Sequence, residues 1–248
     1  MAVGIPGADS SVPFAGHLLD LARDFFGETP RFWGRYFKSP GIPGPAVYRP
    51  AWENGPLRAN GLRVLPIAQQ TGHVSSGADT GAEDGAGNAE AIVAAFGADA
   101  VAAQGGQFLV FLDVEGPPSL SADYFIGWAS ALRVRSRELS GDRFELLPCV
   151  YARTHDDATW RALRQAQAAG APCFGAWVAR LRNNACDQGF AEWDSGFCEP
   201  AFDLPFPVLL WQFAQDCPDG NGIDCDQTNP AVSGAELFLA RLILPPEG

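Results

Sequence analysis

Two carboxyl groups, Asp113 and Glu115, close the apolar run FLVFLDVEG (Phe108–Gly116). On a strand, residues i and i+2 share a face, and a rise of ~3.3 Å per residue sets these two roughly 6–7 Å apart at the backbone. Two acids that close, at a half-buried strand end, repel each other and lose solvation. One is driven to hold its proton while the other stays ionised. Glycoside hydrolysis needs such a pair, with one acid to protonate the leaving oxygen. A second i, i+2 pair, Asp224 and Asp226, lies in GIDCDQ. Trp211 and Gln212 end PVLLWQFAQ, Tyr151 ends FELLPCVYA, Trp177 lies in CFGAWVA, and Arg35 and Tyr36 lie in RFWGRYF. Acids and aromatics gathered at one mouth suit a sugar groove, where ring faces stack on sugars and carboxylates bind hydroxyls. The plain alternatives are a solvated strand end for D-x-E and core packing for Trp177 and Phe213.

A scaffold must bring these strand ends together, and the chain alternates strands with helices. Strands are expected at 11–17, 31–37, 61–70, 107–115, 144–152, 173–179, 207–215 and 222–227. Helical spacing marks Leu18–Gly27, Gly87–Ala100, the segment opened by Ser121, the one capped by Asp156 or Asp157, and Ser233–Leu244. The Gly/Ala/Ser-rich stretch Gly72–Gly87 reads as a long mobile loop, and Asp219–Gly222 as a turn. Eight strand units over 248 residues point to an α/β fold, a (β/α)8 TIM-type barrel with some helices missing or replaced by loops. Residues 1–10 read as a flexible N-terminus and 11–248 as one barrel domain. No strand is followed by G-x-G-x-x-G or a P-loop, which argues against an open dinucleotide-binding sheet.

A net charge of −12 without any basic cluster argues against nucleic acid or an anionic membrane as partner, and no apolar run is long enough for a membrane span. The first residues lack the basic and apolar regions of an intact signal peptide. Cys149 and Cys173 lie in strand-like runs and read as small core residues. The loop cysteines suggest the pairs Cys186–Cys198 and Cys217–Cys225, which imply an oxidising, extracytoplasmic compartment. With three histidines (His17, His73, His155) and no C-x-x-C, zinc is disfavoured. A weaker reading is a metal-dependent hydrolase built on Asp113, Glu115, Asp224, Asp226 and His17. The favoured chemistry needs no cofactor. His73 and His155 fall in loops and are expected to be solvent-exposed.

The succession FLVFLDVEG, ELLPCVYA, CFGAWVA, LLWQFAQD, GIDCDQTNP resembles the strands of glycoside hydrolase family 25 lysozymes. It is even more similar to the related glycoside-hydrolase-like barrel domain of unknown function of exported bacterial proteins, which carries an R-F-x-G-R-Y-F strand like Arg31–Phe37. The resemblance runs from about residue 11 to 244. Its most specific part is D-x-E followed, about a hundred residues on, by W-Q-[FY] and an I-D strand. It implies Glu115 as general acid/base, Asp113 as the partner that holds a substrate N-acetyl group, and Asp224 as the last-strand acid. Trp211 and Tyr151 would line the groove, with Gln212, Trp177, Asp226, Arg35, Tyr36 and His17 as further contacts. The family's first strand usually ends in G-x-D; here PFAGHLL puts His17 at that place, with Asp20 inside a helix. The expected function is cleavage of an N-acetylated glycan such as peptidoglycan. The alternative is a weak or inactive barrel that binds cell-wall glycan or another partner.

Overall fold

The computed structural model describes residues 3–39, 47–70, 72–183, 185–217, 222–232 and 234–247. Eight strands close a barrel in sequence order: β1 (Pro6–Asp9), β2 (Phe32–Phe37), β3 (Arg63–Gln69), β4 (Gln107–Val114), β5 (Glu145–Arg153), β6 (Ala176–Ala179), β7 (Val208–Cys217) and β8 (Ile223–Thr228). The expected α/β barrel is therefore present. Its strands are buried on both faces, which is why they read as continuous apolar runs.

Between the strands lie α1 (Gly16–Phe26), α2 (Pro50–Ala59), α3 (Ala78–Phe96), the short α4 (Ala98–Ala102), α5 (Ala122–Ser140) and α6 (Asp157–Ala168). Among the described residues, the helical elements between β6 and β7 are the short turns α7 (Ala185–Gln188) and α8 (Ser195–Cys198), and α9 (Ala235–Ala240) follows β8. The expected caps form. Ser121 accepts from the Tyr124 amide at 3.0 Å, and Asp156 accepts from the Thr159 amide at 3.2 Å.

Side chains alternate between two packed layers. Phe32, Leu65, Leu109, Phe111, Leu147 and Leu210 fill the barrel, and Leu239 and Leu242 from the α9 segment plug its lower end. Trp33, Val64, Val110, Val150 and Phe213 face the helices.

Four expectations are corrected. The first strand is Pro6–Asp9, inside the segment expected to be flexible, whereas 11–17 leads into α1. The Gly72–Gly87 stretch is largely the start of α3. Gly81 and Gly85 allow a close helix crossing: a Cβ on Gly85 would lie 2.3 Å from the Trp128 carbonyl oxygen of α5. β8 runs antiparallel to both β7 and β1, so the barrel ends in a hairpin rather than an eighth parallel unit. The disulfide is Cys186–Cys217, while Cys198 and Cys225 are free and buried. Cys225 stands opposite Ala214 on the ladder and Cys217 opposite Ile223, so those two cysteines do not face each other. The turn expected at 219–222 lies outside the described residues except for Gly222.

Candidate active site

Adjacent strands place their acids at one end of the barrel. Asp113 is paired with Tyr151, Tyr151 with Trp177, Gln212 with Asp226, and Asp224 with Asp9. Because β8 runs backwards, Asp224 and Asp226 begin that strand and still reach the end where β1 and β4 finish.

Asp9 is the residue the sequence reading missed. It ends Gly7-Ala8-Asp9, a G-x-D tripeptide on the first strand, so the missing first-strand acid is present and His17 does not stand in for it. His17 lies exposed in the first turn of α1. Glycines make room for this strand end. A Cβ on Gly7 would fall 2.0 Å from the Phe32 ring, and one on Gly34 would fall 2.5 Å from the Asp9 Cβ. A four-residue strand reading PGAD looks like a turn, so only the tripeptide itself could have revealed it.

One hydrogen-bonded chain crosses the mouth. The Tyr151 hydroxyl lies 2.6 Å from Glu115 Oε1 and also within bonding distance of Gln212 Oε1. Gln212 Nε2 donates to Asp224 Oδ2 at 2.8 Å, and the Asp216 amide donates to Asp224 Oδ1 at 2.8 Å. A hydroxyl has one hydrogen, yet this one faces two acceptors. It can serve only one of them at a time, so Glu115 and Gln212 share a single donor. Glu115 itself is exposed, just beyond the end of β4.

Below it, the acids are sealed in. Asp9, Asp113 and Asp226 are all at most 2% exposed. Trp177 Nε1 donates to Asp226 Oδ1 at 3.0 Å, and the Tyr36 hydroxyl donates to Asp9 Oδ1 at 3.4 Å. Asp9 Oδ2, Asp113 Oδ1 and Asp226 Oδ2 are buried without a donor among the described residues when these groups are ionised. Asp9 and Asp226 lie within hydrogen-bonding reach, and a proton held on Asp9 supplies the missing bond. Burial, then the charges of Asp224, Asp226 and Glu115, pushes Asp9 well above the usual carboxylate range. Burial and then Asp224 do the same to Asp226. Burial and then Glu115 raise Asp113, against a hydrogen bond from Gln69 and the charge of Lys38. Asp224 is pushed up to about 7, chiefly by burial. The phenols of Tyr36 and Tyr151 are raised by burial and then by these acids.

The mouth opens into a cavity of about 910 Å³, whose lining includes Glu115, Tyr151, Gln212, Arg153, Arg180 and Phe197. Three expected sugar contacts are corrected. Arg35 faces away from the barrel interior and is buried in an ion pair with Glu53, with Nε 2.6 Å from Oε2. Trp211 also faces outward: its Nε1 donates to the Arg180 carbonyl at 2.8 Å, and its ring packs edge-on against Phe197. Both sit next to an inward residue, Tyr36 or Gln212, and neighbours on a strand point to opposite faces. Trp177 is 1% exposed and packs 4.3 Å from the Tyr151 ring, so it holds Asp226 rather than offering a face to a sugar. Phe197 and Leu181 line the cavity from the irregular segment after β6, which carries no pattern to read. His155 also lines it, whereas His73 bonds Asp84 through Nδ1 at 2.9 Å. Among the described residues, no group of three or more His, Cys, Asp or Glu side chains is placed to hold a metal ion. No described helix is long and apolar enough to cross a membrane.

No family model matches the chain, and no curated protein matches it in sequence. Solved structures do. An uncharacterized protein of B. stearothermophilus superposes with a TM-score of 0.66 at 21% identity, covering 96% of this chain and 100% of that one. A muramidase from Acremonium alcalophilum gives 0.54 at 18% identity over 96% and 99% of the two chains. The spore cortex lytic enzyme SleM of Clostridium perfringens gives 0.53 at 16% identity over 92% of this chain and 68% of that one. The chain therefore shares its barrel fold with these proteins, a muramidase and a spore cortex lytic enzyme among them.

Proposed function

We propose that the protein hydrolyses an N-acetylated glycan of the peptidoglycan type, with Glu115 as general acid/base and Asp113 assisting. The observation that carries this reading is the chain Glu115–Tyr151–Gln212–Asp224 at the mouth, which holds Glu115 at the edge of the cavity. A general acid must stand where it can reach the bond it protonates.

Glu115, the exposed acid facing the cavity, gives its proton to the glycosidic oxygen. Asp113, two residues earlier on the same face, accepts from the N–H of the 2-acetamido group, and its unpartnered Oδ1 is suited to that hydrogen. The acetamido oxygen then attacks the anomeric carbon as the leaving sugar departs. Water opens the cyclic intermediate, with Glu115 taking back a proton. Two displacements at one carbon retain its configuration. Asp224 and Gln212 fix the tyrosine that orients Glu115, and Asp9 with Asp226 forms the floor. The disulfide supports an extracytoplasmic place of work. The alternative of a barrel that binds glycan without cutting it drew on a missing first-strand acid and on the unknown activity of the similar domain; the Asp9 carboxyl at the end of β1 weakens the first of these supports.

The test incubates the protein with purified peptidoglycan and with chitin oligomers, beside Glu115→Gln, and counts new reducing ends. Release by the native protein and not by the variant is the expected result. No release from either polymer, with both proteins still sedimenting with one of them, would make this a glycan-binding barrel.

A further inference from the structure

Asp216 is one of two described non-glycine residues with a left-handed backbone, with a φ of 53°. It lies where β7 and β8 fall out of step. Gln212 stands opposite Asp226, Ala214 opposite Cys225 and Cys217 opposite Ile223, so Gln215 and Asp216 together face the single residue Asp224. A bulge of this kind re-aims the backbone, and glycine usually takes its left-handed position. Aspartate tolerates that conformation at a cost, and such strain gathers at functional sites. Here the turned amide donates to Asp224 Oδ1 at 2.8 Å, while the Asp216 side chain is exposed.

That bond sets Asp224 apart from its neighbours. Asp9, Asp113 and Asp226 each have a buried oxygen without a donor among the described residues, whereas Asp224 receives one donor on each oxygen, the Asp216 amide and Gln212 Nε2. The titratable groups that face it are Asp9 from β1, Tyr36 from β2, Glu115 just beyond β4, Asp216 from β7, and Asp226 and Cys225 on its own strand. All of these are acids, and both hydrogen bonds to Asp224 come from N–H groups, which favour its charged form. Burial pushes Asp224 up, the Asp216 amide works against that, and the Asp216 carboxylate pushes it up again. The residue after the bulge is Cys217, tied by the disulfide to Cys186 on α7. The turn is thereby anchored to the segment that follows β6.

We propose that Asp216 is a positioning residue: its amide, aimed by the left-handed turn and anchored by the Cys186–Cys217 disulfide, fixes Asp224 at the foot of the chain that runs through Gln212 and Tyr151 to Glu115. An Asp224 held on both oxygens keeps Gln212 turned with Nε2 toward it and Oε1 toward the Tyr151 hydroxyl. That this arrangement serves hydrolysis rests on the reading above; the hold of the amide on Asp224 does not. The role belongs to the backbone of Asp216, so a replacement keeps the bond only where it accepts the left-handed turn.

The test follows the titration of the Asp224 carboxyl by carbon NMR of protein labelled at its aspartates, with Asp224→Asn assigning the signal. Asp216→Gly and Asp216→Val both remove the Asp216 charge. The first leaves the left-handed turn free to form, and the second, β-branched, opposes it. Asp224 should titrate about one pH unit higher in Asp216→Val than in Asp216→Gly, the scale of one hydrogen bond to a charged group. The double variant Cys186→Ser, Cys217→Ser keeps the Asp216 charge and loosens the anchor, so its Asp224 midpoint should rise above that of the native protein. Thermal unfolding confirms that each variant folds, and the double variant carries the test if Asp216→Val does not. Equal midpoints in the two Asp216 variants overturn the proposal, as does a double variant that titrates like the native protein. Reducing ends counted on peptidoglycan separate the two claims. On the hydrolase reading, Asp216→Val should lower kcat relative to Asp216→Gly with KM unchanged. The expected midpoints in a protein that releases no reducing ends keep the hold on Asp224 and sink the hydrolase reading; release with equal midpoints does the reverse.

Discussion

Two groups of buried charges lie a strand apart, and they are built on opposite terms. On the outer face of β2, Arg35 and Glu53 are fully buried and fully answered. The guanidinium donates to both Glu53 oxygens and, at 2.6 Å, to the Ser10 carbonyl. Glu53 also accepts from the Phe14 amide at 2.8 Å and the Arg49 amide at 2.7 Å. That group ties the segment after β1 to β2 and α2. On the inner face, Asp9, Asp113, Asp224 and Asp226 crowd together with Glu115, and when the aspartates are ionised three buried oxygens lack a donor among the described residues. A paired buried charge holds a fold together only as long as both members remain. An unpaired cluster costs stability and persists where chemistry needs shifted acids.

The sharpest break between the two groups comes from single substitutions that swap their readouts. Glu115→Gln should lower turnover by about 10²–10⁴-fold, the usual share of a general acid, and leave the unfolding midpoint in place. Loss of stability along with activity would make Glu115 structural. Arg35→Met should do the converse and cost about 3–5 kcal/mol in urea unfolding, because Glu53 is left charged and buried. Adding Glu53→Leu should recover much of that loss. A cost near zero for Arg35→Met would erase the contrast.

The same contrast shows how far the sequence could be read. Composition and alternation marked the strands, since a strand covered on both faces must be apolar throughout. D-x-E marked the mouth because its spacing matches the pleat. Which neighbour faces inward was also legible. Placing Arg35 and Tyr36, or Trp211 and Gln212, on the same face contradicts the two-residue period, and the structure separates both pairs. Other features had no local signal. PGAD carries no strand-forming residue, the direction of β8 depends on closing the barrel, and the partner of Cys217 lies in an irregular segment. The glycines of α3 looked like loop composition because their purpose, contact with the α5 backbone, is tertiary.

A smaller perturbation reaches the acids through the scaffold. Gly34 lies on the inner face of β2, where an added Cβ would come within 2.5 Å of the Asp9 Cβ and 3.1 Å of Ile67 Cδ1. Gly34→Ala should cost about 1–3 kcal/mol as overpacking and lower turnover as well, because Asp9 must move. Trp33→Phe, on the opposite face of the same strand, loses the bond from Nε1 to Ser10 Oγ at 3.1 Å and should affect stability alone. Equal loss of turnover in the two variants would show that the faces are not independent.

The mildest test uses pH, and its sign follows from the shifts. Asp9, Asp113, Asp224 and Asp226 all have folded values above the ordinary ~3.9 of an unfolded aspartate. Below that pH both states are protonated and the cluster costs nothing in charge. As pH rises through ~4 the unfolded chain releases these protons and the folded chain keeps them, so stability falls, by up to about 1.4 kcal/mol per pH unit for each retained proton. For Asp224 the decline ends near its folded value of about 7. Asp224→Asn should remove that share of the slope between ~4 and about 7, and Asp226→Asn should remove a share that begins at the same pH. Urea unfolding from pH 4 to pH 8 reads the difference directly: a native slope that neither substitution flattens would mean that the acids at the mouth are ionised and solvated like any others.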